Sequence, residues 1–126
     1  QHPELVNVIA FNRRYAPLYV RAIETARSLS QPHTFYGRFT RPGLGENPSN
    51  TVKDWVTSDG SHTLDLAIAT VGFPHTVSVA RQQVGSGADN VWTLQLHTDT
   101  GSAVIVLDFT AGRRIERFEW SGTGYD

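Results

Sequence analysis

The chain has 126 residues, 11 Lys and Arg against 12 Asp and Glu, and no cysteine. That length suits one domain able to bury its own core. The formal net charge of −1 gives no electrostatic reason to expect nucleic acid or an anionic membrane as partner. A disulfide framework and a thiolate nucleophile are excluded, which fits a reducing cytoplasm. No apolar run is long enough to span a bilayer, and no charged-then-apolar leader opens the chain.

In chain order, Leu5-Val6-Asn7-Val8-Ile9-Ala10-Phe11 is a β-branched apolar run without alternation, as in a strand buried on both faces of a parallel sheet. Nothing else in the chain reads as its parallel neighbour, so the strand is an orphan. Asn12-Arg13-Arg14-Tyr15 leads to a helix from Pro17 to about Ser30, with proline in the first turn and Leu18, Ala22, Ile23, Ala26 and Leu29 as its apolar stripe. Residues 33–41 alternate, Phe35, Gly37 and Phe39 on one side, and predict a half-buried strand. Residues 42–50, rich in Pro, Gly and Asn, predict a long loop of the kind that often binds ligand or acts as a lid.

A second helix is predicted over 58–73. Thr57, Ser58 and Asp59 offer capping side chains, Leu64, Ala67, Ile68 and Val71 recur at helical spacing, and Gly72 and Pro74 stop it. Four strand-like segments follow, at 76–84, 91–98, 103–109 and 115–120. The short Gly- and Asp-containing links between them predict antiparallel hairpins, hence a meander. The whole predicts an α+β fold: an open, mainly antiparallel sheet of about five strands with two helices on one face. The other face is only moderately polar and offers room for a second copy.

His62 is the leading candidate for chemistry. The positive end of the helix dipole in the first turn disfavours imidazolium, and a neutral imidazole can take a proton from a substrate hydroxyl as hydride leaves the same carbon. Asp65 stands three residues on, placed to orient the ring or to offset the dipole. Arg13-Arg14-Tyr15 follows the buried strand, where α/β proteins open their ligand crevice and guanidinium groups bind carboxylates or phosphates. Trp55 and the loop before it can cover a small-molecule pocket, or serve as a buried aromatic anchor. The runs Gly85-Ser86-Gly87 and Gly43-Leu44-Gly45 lack the third glycine and the strand-to-helix setting of a dinucleotide fingerprint, and are expected to be turns. The five histidines show no tight metal-ligand spacing, and no Gly-x-Ser-x-Gly elbow is present.

Val8-Ile9-Ala10-Phe11-Asn12-Arg13-Arg14-Tyr15-Ala16-Pro17 resembles the domain junction of the glucose–fructose oxidoreductase / inositol dehydrogenase / rhizopine-catabolism (Gfo/Idh/MocA) family, where the last Rossmann strand runs into an F-N-R-R-[FY]-x-P segment. The helix over 58–73 resembles that family's D-x-x-x-H-x-x-D helix and its G-x-P exit. The strands resemble its open C-terminal sheet, in G-S-A-V-I-V-L and E-R-F-E-W-S-G. The resemblance covers nearly the whole chain. It implies residues 1–15 as the last Rossmann-type strand and junction of a missing nucleotide-binding domain, and residues 16–126 as a partial C-terminal domain for substrate binding and oligomerisation.

What it further implies is an NAD(P)-dependent oxidoreductase acting on a sugar, cyclitol or related alcohol, with the open sheet face as the contact of a homodimer. His62 matches the catalytic histidine. Arg13, Arg14, Tyr15, Trp55, Ser58 and Asp65 are expected to meet substrate. NAD or NADP is expected in the parent protein and no cofactor on this piece. Ser58 stands where the family has aspartate, with Asp59 one place late, which puts the proton relay in question. Two other readings are a stand-alone, non-catalytic binding or dimerisation module on the same sheet, and a small-ligand cone of helix and curved sheet enclosing His62.

Overall fold

Strict alternation in β1 (Thr34–Thr40) decides where the core lies, because it sends Phe35 and Phe39 to one side of the sheet, 0% and 1% exposed. The computed structural model describes residues 13–42, 56–85 and 90–125. The apolar run 5–11, loop residues 43–50, Trp55 and the glycine run at 86–87 therefore lie outside the described residues. The described elements run from a 3₁₀ turn, Arg13–Tyr15, into α1 (Pro17–Leu29), then β1, one wide turn at Val56–Gly60 and α2 (Ser61–Val71). Strands β2 (Thr76–Gln82), β3 (Val91–His97), β4 (Ser102–Asp108) and β5 (Ile115–Ser121) complete the fold.

The sheet has five strands in the order β2-β3-β4-β1-β5. Its pairs are antiparallel except for β1 with β4, which run parallel from Thr34 beside Ser102 to Thr40 beside Asp108. The α+β class, the two helices and the mainly antiparallel sheet agree with expectation. The meander does not. It holds from β2 to β4, but β1 inserts between β4 and β5, so the Gly112 link is a bridge over a strand end and not a hairpin turn. Thr40, fully buried at that end, explains how the bridge is held. Its hydroxyl donates to the Arg113 carbonyl at 2.8 Å and accepts from the Ile115 amide at 3.0 Å.

The cross-strand register places Phe35, Gly37, Ala103, Ile105, Leu107, Phe118 and Trp120 on one face, and both helices lie over that face. α2 presses hardest. Leu66, Ala67 and Val71 are 0% exposed, and a Cβ on Gly60 would come within 2.7 Å of Leu107, so glycine permits the close approach. The buried side of α2 is Thr63, Leu66, Ala67, Thr70 and Val71. This differs from the predicted stripe, since Leu64 and Ile68 are only half-buried. Thr63 and Thr70 read as polar in the sequence. Yet Thr70 donates to the Leu66 carbonyl and accepts the Trp120 indole N–H at 3.0 Å, so its burial carries no unmet hydrogen bond.

The ends of α2 also depart from the sequence reading. Gly60 at the N-cap is itself helical, φ −66 and ψ −32, and no side chain caps the first turn, because the wide turn runs straight into the helix. At the other end Gly72 closes the helix at φ 95, as its residue type predicts. The Val71 carbonyl left over there accepts hydroxyls from Thr98 at 2.6 Å and Thr100 at 2.7 Å, which lock the β3–β4 turn to the helix end.

α1 is held more loosely. Only Ile23 and Ala26 are buried, while Leu18 is 73% and Leu29 65% exposed, so the predicted stripe is covered at its centre alone.

Candidate active site

The two consecutive arginines at the start of the described chain point to different partners. Arg13 pairs with Glu116 on β5, which also takes Arg114 at 2.7 Å. Arg14 reaches α2, where its Nη2 lies 2.5 Å from Asp65 Oδ1 across 51 residues of sequence. The 3₁₀ turn is thereby fastened to the sheet through one guanidinium and to the helix through the next. Tyr15, 72% exposed, sits beside them, its ring 5.6 Å from the Arg14 guanidinium carbon.

His62 and Asp65 stand three residues apart on α2 and share the helix face that meets the 3₁₀ turn. The imidazole is half-buried; Asp65 is only 8% exposed. Burial pushes the Asp65 carboxyl above its ordinary value, against the opposing pull of the Arg14 guanidinium and of the charge on His62. A carboxylate so withdrawn from water keeps its charge only with a cation in contact, and Arg14 is that cation. The arrangement holds an imidazole one helical turn from a paired charge.

Asp59, expected to bear on the relay one place late, instead accepts from Arg41 at 2.5 Å, tying the wide turn to the end of β1. Ser58 lies in that wide turn. Trp55 is outside the described residues. The structure thus brings Arg14, with Tyr15 beside it, to Asp65 on α2, one turn from His62, and turns Arg13 toward β5. The partners Arg41, Glu116 and Thr98 carried no local signal, because each acts on a residue far from it in sequence.

A cavity of about 530 Å³ runs between α1 and β5, lined by Leu18, Ala22, Leu29, Phe118, Trp120 and Tyr125 among others. A smaller one of about 290 Å³ lies on another side of α2, against Leu64, Leu94 and Leu107. Neither of these two counts His62 in its wall. Gly85, at φ +82, follows β2, and Ser86 and Gly87 lie outside the described residues. Among the described residues no three His, Asp or Glu are grouped to hold a metal ion, and no helix is long and apolar enough to cross a membrane.

No family model matches the sequence, and no curated protein does. Solved structures do. A proposed myo-inositol dehydrogenase from Sinorhizobium meliloti 1021 superposes with a TM-score of 0.74 at 21% identity, over 91% of this chain and 39% of its own. A dehydrogenase (MviM) from Clostridium difficile gives 0.73 at 17%, over 90% and 36%. A levoglucosan dehydrogenase solved in complex with NADH gives 0.74 at 17%, over 94% and 38%. These are oxidoreductases of the Gfo/Idh/MocA type, and the chain has the fold of a part of them. At such identities the likeness is one of fold, and the chain spans well under half the length of the structures it matches.

Proposed function

We propose that this chain is the C-terminal, substrate-binding part of an NAD(P)-dependent oxidoreductase of Gfo/Idh/MocA type acting on a sugar, cyclitol or related alcohol. Residues 1–15 are then the last strand and junction of its nucleotide-binding half, and 16–126 the second domain. The observation that supports this most is the half-buried His62 on the first turn of α2, one turn from Asp65, whose carboxylate pairs with Arg14 of the junction.

The cofactor would supply a hydride acceptor when held by the other half. What the chain does is hold the alcohol and receive its hydroxyl proton on the imidazole. Tyr15, Ser58 and Trp55 are the residues we assign to the substrate. Asp65 and Arg14, paired with each other, flank that site, and Arg13, turned to Glu116 on β5, anchors the junction beside it. The face of the sheet away from the helices carries the half-buried row Tyr36, Val104, Val106 and Thr93, and we assign it to contact with a second copy.

The test is steady-state oxidation of a panel of polyols and sugars by the full-length protein with NAD and NADP, with and without His62→Ala. The variant is expected to lose about 10²- to 10⁴-fold in kcat, the usual worth of a positioned base. An unchanged rate would make His62 a structural residue and remove the mechanism.

A further inference from the structure

The sequence reading gives Arg14 to the substrate, but its geometry points elsewhere. A guanidinium 2.5 Å from a carboxylate that is 92% withdrawn from solvent is engaged with its own chain. The pair also spans two elements, the 3₁₀ turn and α2, with no sheet between them to fix their spacing. We propose that Arg14 is a positioning residue: by pairing with Asp65 it fixes the His62 face of α2 against the junction turn, and it balances the carboxylate charge that the imidazole would otherwise meet alone.

From the 3₁₀ turn, Arg13 is bound to Glu116, and Tyr15 points largely to solvent. From the wide turn, Asp59 is bound to Arg41. β1 and β4 offer α2 only Phe35, Gly37, Phe39, Ala103, Ile105 and Leu107, none of which titrates. α1 contributes Arg27, which donates to the Ala69 carbonyl near the far end of the helix, and Glu24, which lines a cavity of about 210 Å³ together with Arg14, Arg27 and Ala69. Asp65, one turn along the helix, is a carboxylate that interacts with His62, and Arg14 is the guanidinium paired with it. Near-cancellation follows while both are present, and a one-sided field follows when either is removed.

This inference rests on the reading of His62 as the proton acceptor, yet it is tested without turnover. The NMR titration of the His62 ring is followed in the full-length protein and in Arg14→Gln, Asp65→Asn, the double variant and Arg14→Lys. Asp65→Asn leaves an unopposed guanidinium and is expected to move the ring's transition to lower pH. Arg14→Gln leaves the carboxylate and is expected to move it to higher pH. The double variant should return toward the native midpoint, and Arg14→Lys should stay near it.

A purely structural bolt gives no opposite shifts and no restoration in the double variant, and that result overturns the proposal. So does a KM for the alcohol that rises in Arg14→Lys but not in Asp65→Asn, since it would put Arg14 on the substrate. If Arg14→Gln fails to fold, Asp65→Asn and the double variant still decide. If His62→Ala is fully active but the shifts are seen, the charge balance stands and the catalytic reading alone fails.

Discussion

The two helices lie on the same face of the same sheet and are held in different ways. α2 is driven into the core along one side, with Leu66, Ala67 and Val71 wholly buried against Phe35, Ile105 and Leu107. Its carbonyls at the far end are met by hydroxyls from the β3–β4 turn and by Arg27 from α1. α1 contributes Ile23, Ala26 and the edge-on contact of Tyr19 with Phe118, while both ends of its apolar stripe face solvent along the groove beside β5. The difference teaches where precision is needed. The helix that carries His62 is locked by packing on one side and by an ion pair on the next, whereas its neighbour buries only two side chains and is tied at its end by hydrogen bonds.

The contrast is broken most directly at Leu66. Truncating it to alanine removes a fully buried side chain from the α2 interface and is expected to cost about 2–5 kcal/mol, read from the urea midpoint at constant slope. A cost below about 1 kcal/mol would mean that α2 is not the better-packed helix.

A smaller effect is expected at the ion pair, and it depends on pH. Because the folded Asp65 carboxyl lies above its ordinary value of 3.8, the native state binds that proton more readily than the unfolded chain does. Its contribution to stability is therefore fully present below the ordinary carboxylate range and is lost as pH rises through the raised value. Thermal scans against Asp65→Asn should show the native protein losing ground over that interval and keeping a constant difference above it. The opposite slope would mean that Arg14 outweighs burial.

At Leu18 the smallest change is expected. With 73% of its surface already exposed, replacement by alanine should alter stability by no more than about 0.5 kcal/mol. A loss comparable to that at Leu66 would show the groove to be filled in solution.

Much of this was legible in local pattern. Proline at the start of α1, glycine after Val71 and alternation in β1 each follow from backbone freedom or from side chains pointing alternately to two faces. The place of His62 on the first turn of a buried helix was legible for the same reason. The buried side of α2 was misjudged because hydrophobicity ranks Thr63 and Thr70 below Leu64 and Ile68. A threonine that can return its hydroxyl to the helix backbone and also receive an indole N–H is buried without penalty, and no residue scale records that.

By itself, then, the sequence determined the elements, their class and the residue that can carry a proton, since propensity, periodicity and chain-breaking residues act over a few positions. Only the tertiary structure decided that β1 slips between β4 and β5, that Arg14 belongs to Asp65 and Arg13 to Glu116, and that Asp59 answers to Arg41. Those outcomes are choices among many equally charged or equally apolar partners. They are settled by which groups the closed sheet and the wide turn bring within contact, a distance in space that spacing along the chain does not encode.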